Sequence, residues 1–310
     1  MPDETPITTA HEPHEALRRG PLQWFGGKGQ LLSRLLPLIP PGGCPYVEPY
    51  VGGASVLCAR ERAPSEVIND LNGDLIRFFR VLQDPAHFRA LAHRLRYTLY
   101  SRAEFGRALE ILASGTEDPI LHAWAVFVAA NQAFSGIFPA DSVGDWSRSF
   151  GTGPNAALRW HARVDDLEAW HRRLRHVQID QRDALTVIQY WDTPDTVCYV
   201  DPPYIASTRA AQNMYVHEAD DAHHRALVDL LLACQGAVVL SGYDHPIYEP
   251  LTASGWTLTR FQTVAYAAGR TRTSGLQGTG AATRKVPRIE CVWQNRRALE
   301  MLQYQLPMVF

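Results

Sequence analysis

The segment VCYVDPPY, residues 197–204, joins an apolar run to an acid, two prolines and a tyrosine. Proline has no N–H for a central strand, so a strand here must end near Asp201. The turn can serve only to end that strand, since Asp and Pro are common turn residues. It can also be an active-site edge, because α/β folds bind ligands at the carboxyl ends of parallel strands. In that case Asp201 and a carbonyl of the rigid pair Pro202–Pro203 form an acceptor pair suited to an amino group. Tyr204 then offers a ring for stacking on a planar substrate.

A second candidate site is the glycine turn in EPYVGGAS, residues 48–55. Gly52 and Gly53 allow a tight strand-to-helix turn and a close approach of the backbone to a ligand. The segment lacks both the full Gly-x-Gly-x-x-Gly pattern and the Gly-Lys-Ser/Thr ending of a phosphate loop. Glu48 at the strand's end repels a phosphate and suits a ligand that carries an ammonium or sulfonium group. A glycine turn without any binding function explains the pattern equally well.

Asp70 ends the next apolar run, seventeen residues after Gly53. A carboxylate at about this distance binds the ribose hydroxyls in dinucleotide sites. Asp70 and Asn72 are also good N-cap residues for the helix that follows, and Asp70 can serve both purposes. The glycine turn and the acid together favour a nucleoside-binding site.

These residues depend on a parallel sheet that brings strand ends together. Up to residue 83 the order is strand, helix, strand, helix, which is typical of right-handed crossovers. We expect a first strand at 46–48, a second that ends at Asp70, and a fourth, before Asp201, that lies beside the first. Further strands are expected within 176–183, 236–244, 256–266 and 287–295. Helices are expected from about Gln30, terminated by Pro37 and Pro40, and from near Ala54.

The predicted domain organisation divides the 310 residues into a tail, a catalytic domain and an insertion. The tail covers 1–20 and is expected to be disordered. The catalytic domain is formed by 21–83 and 177–310. The insertion, 84–176, has helical segments and a long Gly/Ser/Asp-rich loop over 138–154, and such loops tend to be functional. The predicted fold is therefore a doubly wound α/β domain with a helical insertion.

The composition limits the class of protein. Formal net charge is −2, so no overall basic signature of a nucleic-acid binder exists, although a local basic groove is compatible with it. The five cysteines include no Cys-x-x-Cys pair, which argues against a zinc site or a disulfide framework. We expect a cytoplasmic protein without metal or membrane partner. Of 30 basic residues only Lys28 and Lys285 are lysines, which suggests that Lys28 is needed for its compact ammonium group.

The order of the motifs WFGGKG, EPYVGGAS and DPPY, with an insertion before the last, resembles that of Dam-like DNA adenine-N6 methyltransferases. The resemblance extends from about residue 21 to 295. It implies a seven-stranded mixed Rossmann-like sheet with a target-recognition insertion, S-adenosyl-L-methionine as cofactor and double-stranded DNA as partner. It implies Asp201, Pro202, Pro203 and Tyr204 as catalytic residues. The cofactor-binding residues implied are Trp24, Gly27, Lys28, Glu48, Pro49, Gly52, Gly53, Asp70, Asp183 and Asp201. Within this set Asp70 is expected to hold the donor ribose and Asp183 the donor's adenine amino group.

DNA contact is expected from the insertion, where arginines alternate with aromatic residues. The candidates are Asn131, Arg148 and Arg159, and Arg148 in the long loop is the best candidate for base contact. Alternative functions are methylation of cytosine N4 or of RNA by the same fold, and a non-catalytic DNA-binding relic. Asp at 201 favours adenine, because cytosine-N4 enzymes usually carry Ser there. The target sequence, a phage, restriction-modification or solitary role, and a monomer or weak dimer all stay open.

Overall fold

The structure, a computed structural model, describes residues 17, 19–24, 26–133, 146–147, 155–205, 219–265 and 286–304. Of residues 263–265, 286–288 and 304 only the backbone is described. The predicted loop 138–154 lies largely outside these ranges.

Seven strands of the described chain form a single mixed sheet. They are β1 (Tyr46–Glu48), β2 (Glu66–Asn69), β3 (Gln178–Asp180), β4 (Val197–Val200), β5 (Ala237–Tyr243), β6 (Thr257–Ala265) and β7 (Val286–Gln294). Their order is β3-β2-β1-β4-β5-β7-β6. The first five neighbours run parallel, whereas β7 is antiparallel to both β5 and β6. The predicted α/β class with a seven-stranded mixed sheet is confirmed.

Strand β4 lies beside β1, as the sequence predicted. Tyr46 pairs with Val197 and Val47 with Cys198. Strands β2 and β3 continue the sheet on one side of this pair and β5 continues it on the other. The order of parallel strands therefore reverses between β1 and β4, and a crevice opens at their carboxyl ends at such a point. Glu48 ends β1 and Asp201 follows β4, so both lie at this crevice.

Twelve α-helices accompany the sheet within the described residues. They are α1 (Leu32–Leu35), α2 (Ser55–Ala59), α3 (Gly73–Gln83), α4 (Pro85–Arg96), α5 (Arg102–Ser114), α6 (Pro119–Gln132), α7 (Ala156–Asp165), α8 (Leu167–Leu174), α9 (Ala184–Trp191), α10 (Asp221–Ala233), α11 (Glu249–Ala253) and α12 (Arg296–Tyr304). None of these helices has the length and apolarity that crossing a bilayer requires.

The helix predicted from about Gln30, with Pro37 and Pro40 at its end, is wrong as a single element. A 3-10 turn over Lys28–Gln30 precedes the four-residue α1, and a second 3-10 turn covers Leu36–Leu38. Pro37 has no N–H with which to continue the i to i−4 hydrogen bonds, so the α-helical pattern ends before it.

Helices α4 to α8 lie between β2 and β3, inside the limits predicted for the insertion. The side chains of α6 are almost all buried, and α6 packs against α3, α4 and α5. One hydrophobic core contains Trp124 and Trp170 of this region together with Tyr46 and Ile68 of the sheet. The insertion is therefore fixed to the sheet by a shared core, while the domain limits stay a prediction.

The last two residues of the predicted tail, 1–20, contact the rest of the chain, while the limits of the tail stay a prediction. Arg19 forms an ion pair with Asp166 at 2.9 Å, and its carbonyl accepts a hydrogen bond from Trp170. Gly20 is buried, and a Cβ built on it would lie 1.8 Å from the carbonyl oxygen of Gly53. The main chain at Gly20 therefore packs directly against the glycine turn, and this contact attaches the segment to the sheet.

Candidate active site

A pocket of about 1090 Å³, its open mouth included, lies at the carboxyl ends of β1, β2 and β4. Its lining contains every catalytic and cofactor-binding residue that the sequence suggested: Trp24, Gly27, Lys28, Glu48, Pro49, Gly52, Gly53, Asp70, Asp183, Asp201, Pro202, Pro203 and Tyr204. The fold brings these residues together from five separate segments of the chain. A concave site with a few convergent polar groups is the usual form of a small-molecule site.

The glycine turn forms one wall of the pocket and has an unusual backbone. Gly52 has φ +48°, and Ala54 has φ 56°, a left-handed conformation that non-glycine residues rarely adopt. A Cβ on Gly52 would lie 2.9 Å from Cδ1 of Trp24. Trp24 therefore packs directly on the turn, and Gly52 is required both for its φ and for the space that it leaves.

Asp70 connects the glycine turn to the second strand. Its Oδ2 accepts a hydrogen bond from the Gly52 N–H at 3.0 Å, and its Oδ1 accepts one from the Asn72 N–H at 2.9 Å. The N-cap of α3 is Asn72, whose Oδ1 accepts from the N–H groups of Asp74 and Leu75. Of the two roles considered for Asp70, the capping one therefore belongs to Asn72, and Asp70 holds the pocket wall in place.

Asp201 is paired with Lys28, which lies 173 positions earlier in the chain. The Lys28 Nζ donates to both carboxylate oxygens of Asp201 at 2.7 Å and to the Gly26 carbonyl at 3.2 Å. Burial raises the pKa of Asp201 to about 6, and the Lys28 ammonium acts against that rise. Asp201 is therefore a carboxylate at neutral pH and has hydrogen-bond acceptors to offer.

Glu290 on β7 is a member of this cluster that the sequence reasoning missed. It is 5% exposed, accepts a hydrogen bond from the Tyr204 hydroxyl, and has an oxygen 3.6 Å from the Lys28 Nζ. The Lys28 Nζ also lies 4.7 Å from the centroid of the Tyr204 ring. Desolvation lowers the pKa of Lys28, yet the charges of Asp201 and Glu290 raise it more, so its net pKa lies above the ordinary value. An acid inside the apolar run of β7 was the available signal.

Glu48 is buried at the end of β1 and accepts a hydrogen bond from the Tyr46 hydroxyl at 2.6 Å. Burial raises the pKa of Glu48 to about 8, against the lowering effect of that bond. At neutral pH without a ligand the group is therefore mostly protonated. A cation in the pocket would favour its charged form and lower this pKa.

Asp183 lines the pocket at the start of α9. Its Oδ1 accepts hydrogen bonds from the N–H groups of Leu185 and Thr186, so it is the N-cap of that helix. An N-cap fixes the orientation of its carboxylate, and the helix N-terminus favours its negative charge. Tyr50, Tyr199 and His223 also line the pocket and were not predicted. The hydroxyl of Tyr50 lies 2.7 Å from Nε2 of His223, so these two residues act as a pair.

The three DNA-binding candidates have different environments. Asn131 is 8% exposed, accepts from the Gln23 N–H, and donates to the carbonyls of Pro21 and Phe127. This burial argues against a DNA contact, because the side chain holds the segment that leads to Trp24. Arg148 lies outside the described residues.

Arg159, in contrast, is exposed on α7. Burial raises the pKa of Tyr100, and the charge of Arg159 acts against that rise. The Tyr100 ring packs against Trp146 at 5.2 Å between centroids. Arg102 lies 5.5 Å from the Trp146 ring centroid. The insertion therefore combines basic and aromatic groups on one part of its surface. No cluster of three or more His, Cys, Asp or Glu residues suitable for a metal ion occurs in the described ranges.

Comparison with known proteins gives a consistent result. A family model described as D12 class N6 adenine-specific DNA methyltransferase matches residues 24–248. A DNA N-6-adenine-methyltransferase of Escherichia phage P1 is 27% identical over 235 residues, which are 74% of this chain and 30% of the phage protein. The type II methyltransferase M1.LlaDCHI of Lactococcus lactis is 25% identical over 74% of this chain and 82% of its own. The type II methyltransferase M.MjaIII of Methanocaldococcus jannaschii is 24% identical over 59% of this chain and 68% of its own.

Proposed function

Since this chain belongs to the D12 class N6 adenine-specific DNA methyltransferases, we propose that it methylates adenine N6 in double-stranded DNA through the pocket described above. The methyl donor of such an enzyme is of the S-adenosylmethionine type, and we propose S-adenosyl-L-methionine itself. The observation that carries the proposal is that the Asp201–Pro202–Pro203–Tyr204 turn lines the same pocket as the glycine turn and Asp70.

The residues present fit a cationic nucleoside donor. Asp70 and Asp183 offer carboxylates on two walls of the pocket, each fixed by main-chain N–H groups, and hydroxyl and amino groups of a nucleoside need such acceptors. Glu48 adds an acid whose negative charge a cation would stabilise. The bound donor supplies an electrophilic methyl group on a positively charged sulfur. Trp24 and the glycine turn enclose it and exclude water.

Asp201 and the carbonyl of Pro202 are proposed to accept the two hydrogens of the target amino group. Two acceptors leave the N6 lone pair directed at the methyl group, so positioning rather than strong base catalysis provides the rate increase. Asp201, with a pKa of about 6, can then take the proton that N6 releases after transfer. Tyr204 stacks on the base, which must leave the duplex to reach this depth.

Lys28 holds the acceptor position before the base arrives. Its ammonium contacts both oxygens of Asp201 and covers the Tyr204 ring, which are the two groups proposed to hold adenine. The entering amino group must therefore share these positions with Lys28 or displace it. Glu290, 3.6 Å away, and the Gly26 carbonyl, 3.2 Å away, keep the ammonium partnered in either case.

Duplex DNA is proposed to approach the insertion, which carries the exposed Arg159 on α7 and has Arg102 beside the aromatic pair of Tyr100 and Trp146. Arginine side chains supply phosphate contacts. The distance between these contacts and the pocket sets how far the target base must move out of the duplex. Asn131 is not part of this proposed surface because it is buried.

The test is methyl transfer from labelled S-adenosyl-L-methionine to mixed-sequence duplex DNA, followed by nucleoside digestion and mass spectrometry. The wild type should form N6-methyladenine, and Asp201→Ala should bind the donor but transfer no methyl group. Formation of N4-methylcytosine, transfer to RNA only, or donor binding without any transfer would support one of the alternative functions instead. Undiminished activity of Asp201→Ala would contradict the assigned site.

A further inference from the structure

His224 lies beneath the catalytic turn and contacts its main chain. This residue of α10 is 0% exposed. Its Nε2 lies 3.1 Å from the carbonyl oxygen of Pro203, and its Nδ1 lies 2.9 Å from the hydroxyl of Tyr248. A carbonyl oxygen can only accept, so Nε2 carries the proton and donates. In a neutral imidazole Nδ1 then accepts from the Tyr248 hydroxyl.

The neutral form of His224 is strongly favoured by its surroundings. Burial lowers the pKa of His224 to about 4. The groups that face it are His223 and His245, which lower the pKa, and Asp221 and the Pro203 carbonyl, which raise it. The direction of both hydrogen bonds is therefore the same throughout the neutral pH range.

The bond to Pro203 restrains a torsion of the catalytic turn that the prolines leave soft. The rings of Pro202 and Pro203 set their own φ angles. A residue before proline is confined to extended ψ values, which limits ψ of Asp201 and of Pro202. Pro203 precedes Tyr204, so its ψ has no such limit. Holding the Pro203 carbonyl sets this angle, and with it the direction in which the chain enters Tyr204.

Glu290 fixes the far end of the Tyr204 side chain, because it accepts the hydrogen bond of the Tyr204 hydroxyl. Tyr204 is thus held at its hydroxyl by Glu290 and, through the Pro203–Tyr204 peptide, by His224. His224 is not among the residues that line the pocket. The bond to the Pro203 carbonyl links His224 directly to the turn.

We propose that His224, supported by Tyr248, is a positioning residue that orients the Asp201–Tyr204 turn for methyl transfer. This inference rests on the proposed function of the pocket. By engaging the Pro203 carbonyl, His224 also leaves the Pro202 carbonyl as the acceptor available for the target amino group.

Three variants of His224 and one control separate positioning from simple stability. His224→Leu removes both hydrogen bonds. His224→Gln carries an amide nitrogen near the position of Nε2 and can still donate to Pro203, whereas His224→Asn reaches only toward Tyr248. The control is His171→Leu, because buried His171 also donates to a main-chain carbonyl, that of Leu82 at 2.6 Å, but lies on α8 away from the pocket.

We expect His224→Leu and His224→Asn to lower kcat about 10- to 100-fold, as small displacements of reacting groups do. Their Kd for S-adenosyl-L-methionine, measured by calorimetry, should stay near that of the wild type. His224→Gln should recover most of kcat, and His171→Leu should lower the melting temperature but leave kcat unchanged.

Three results would overturn the inference: a folded His224→Leu variant with the wild-type kcat, an equal loss of kcat in His171→Leu, or a loss of donor affinity that parallels the loss of kcat. If the wild type forms no N6-methyladenine in the same assay, the proposed function fails first and the positioning role fails with it.

Discussion

Removing the ammonium of Lys28 is expected to move the pH dependence of methyl transfer by about two units. In the wild type the pKa of Asp201 is about 6. The carboxylate is the form that accepts the target amino group, so kcat/KM should fall tenfold per pH unit below about 6 and be level above it. Lys28→Met keeps the length of the side chain and removes the charge that favours this carboxylate.

The magnitude follows from the short distance of the pair. Nζ lies 2.7 Å from both oxygens, and the two side chains are 5% and 18% exposed. Two unit charges about 3 Å apart attract each other by roughly 5 kcal/mol at an effective dielectric constant of about 20. One pKa unit corresponds to about 1.36 kcal/mol, so this attraction sets an upper limit of about four units. Water that replaces the ammonium restores part of the lost stabilisation of the carboxylate. We take this part to be about half of the upper limit, which brings the pKa of Asp201 to about 8.

The assay is kcat/KM for N6-methyladenine formation between pH 5 and pH 9.5. At pH 7 the carboxylate fraction should fall from roughly nine tenths to roughly one tenth, so Lys28→Met should be about tenfold slower and should recover by pH 9. Glu290→Gln is the matched variant of opposite sign, because Glu290 raises the pKa of Asp201. Its acidic limb should move to lower pH. A Lys28→Met variant that is slower by the same factor at every pH would refute the reasoning, because Lys28 would then act by a route other than the ionisation of Asp201.

Three further predictions concern the pocket and its support. Because the pKa of Glu48 is about 8, the group is roughly three-quarters protonated at pH 7.5. Binding of cationic S-adenosyl-L-methionine should therefore release a fraction of a proton. Calorimetry in two buffers of different ionisation enthalpy should detect the release, and Glu48→Gln should abolish it. Gly20→Ala should weaken donor binding and folding, because its Cβ would meet a main-chain carbonyl at 1.8 Å. Gly29→Ala, with nothing within 4 Å of its Cβ, should behave like the wild type. Equal behaviour of the two variants would contradict this packing. Glu66→Gln leaves the buried guanidinium of Arg173 without its carboxylate and should cost about 3–5 kcal/mol in the free energy of unfolding; a melting temperature unchanged from the wild type would contradict it.

Local sequence signals were sufficient for the strands around the site. The bounds 46–48 and the strand end before Asp201 agree with the structure, because Pro and Gly impose their effects on neighbouring residues alone. The adjacency of β1 and β4 also followed, since few arrangements of a doubly wound sheet exist. The single helix expected from about Gln30 was wrong, because apolar spacing does not distinguish an α-helix from the 3-10 turns that flank α1.

The sequence by itself determined which chemical groups the pocket contains, because each group belongs to a short motif. These groups are the glycine turn, Asp70, and the acid and tyrosine on either side of two prolines. Only the tertiary structure decided how those groups interact. Lys28 reaches Asp201 across 173 positions, and Glu290 reaches Tyr204 across 86, through chain reversals that no local pattern contains. Burial and nearby partners then decide the charge of these groups. The residue type alone gives an ordinary pKa, and desolvation or a charged partner a few ångströms away shifts it. The inward position of Asn131 has the same origin, because an amide placed beside main-chain groups of another segment is satisfied there and is no longer available at the surface.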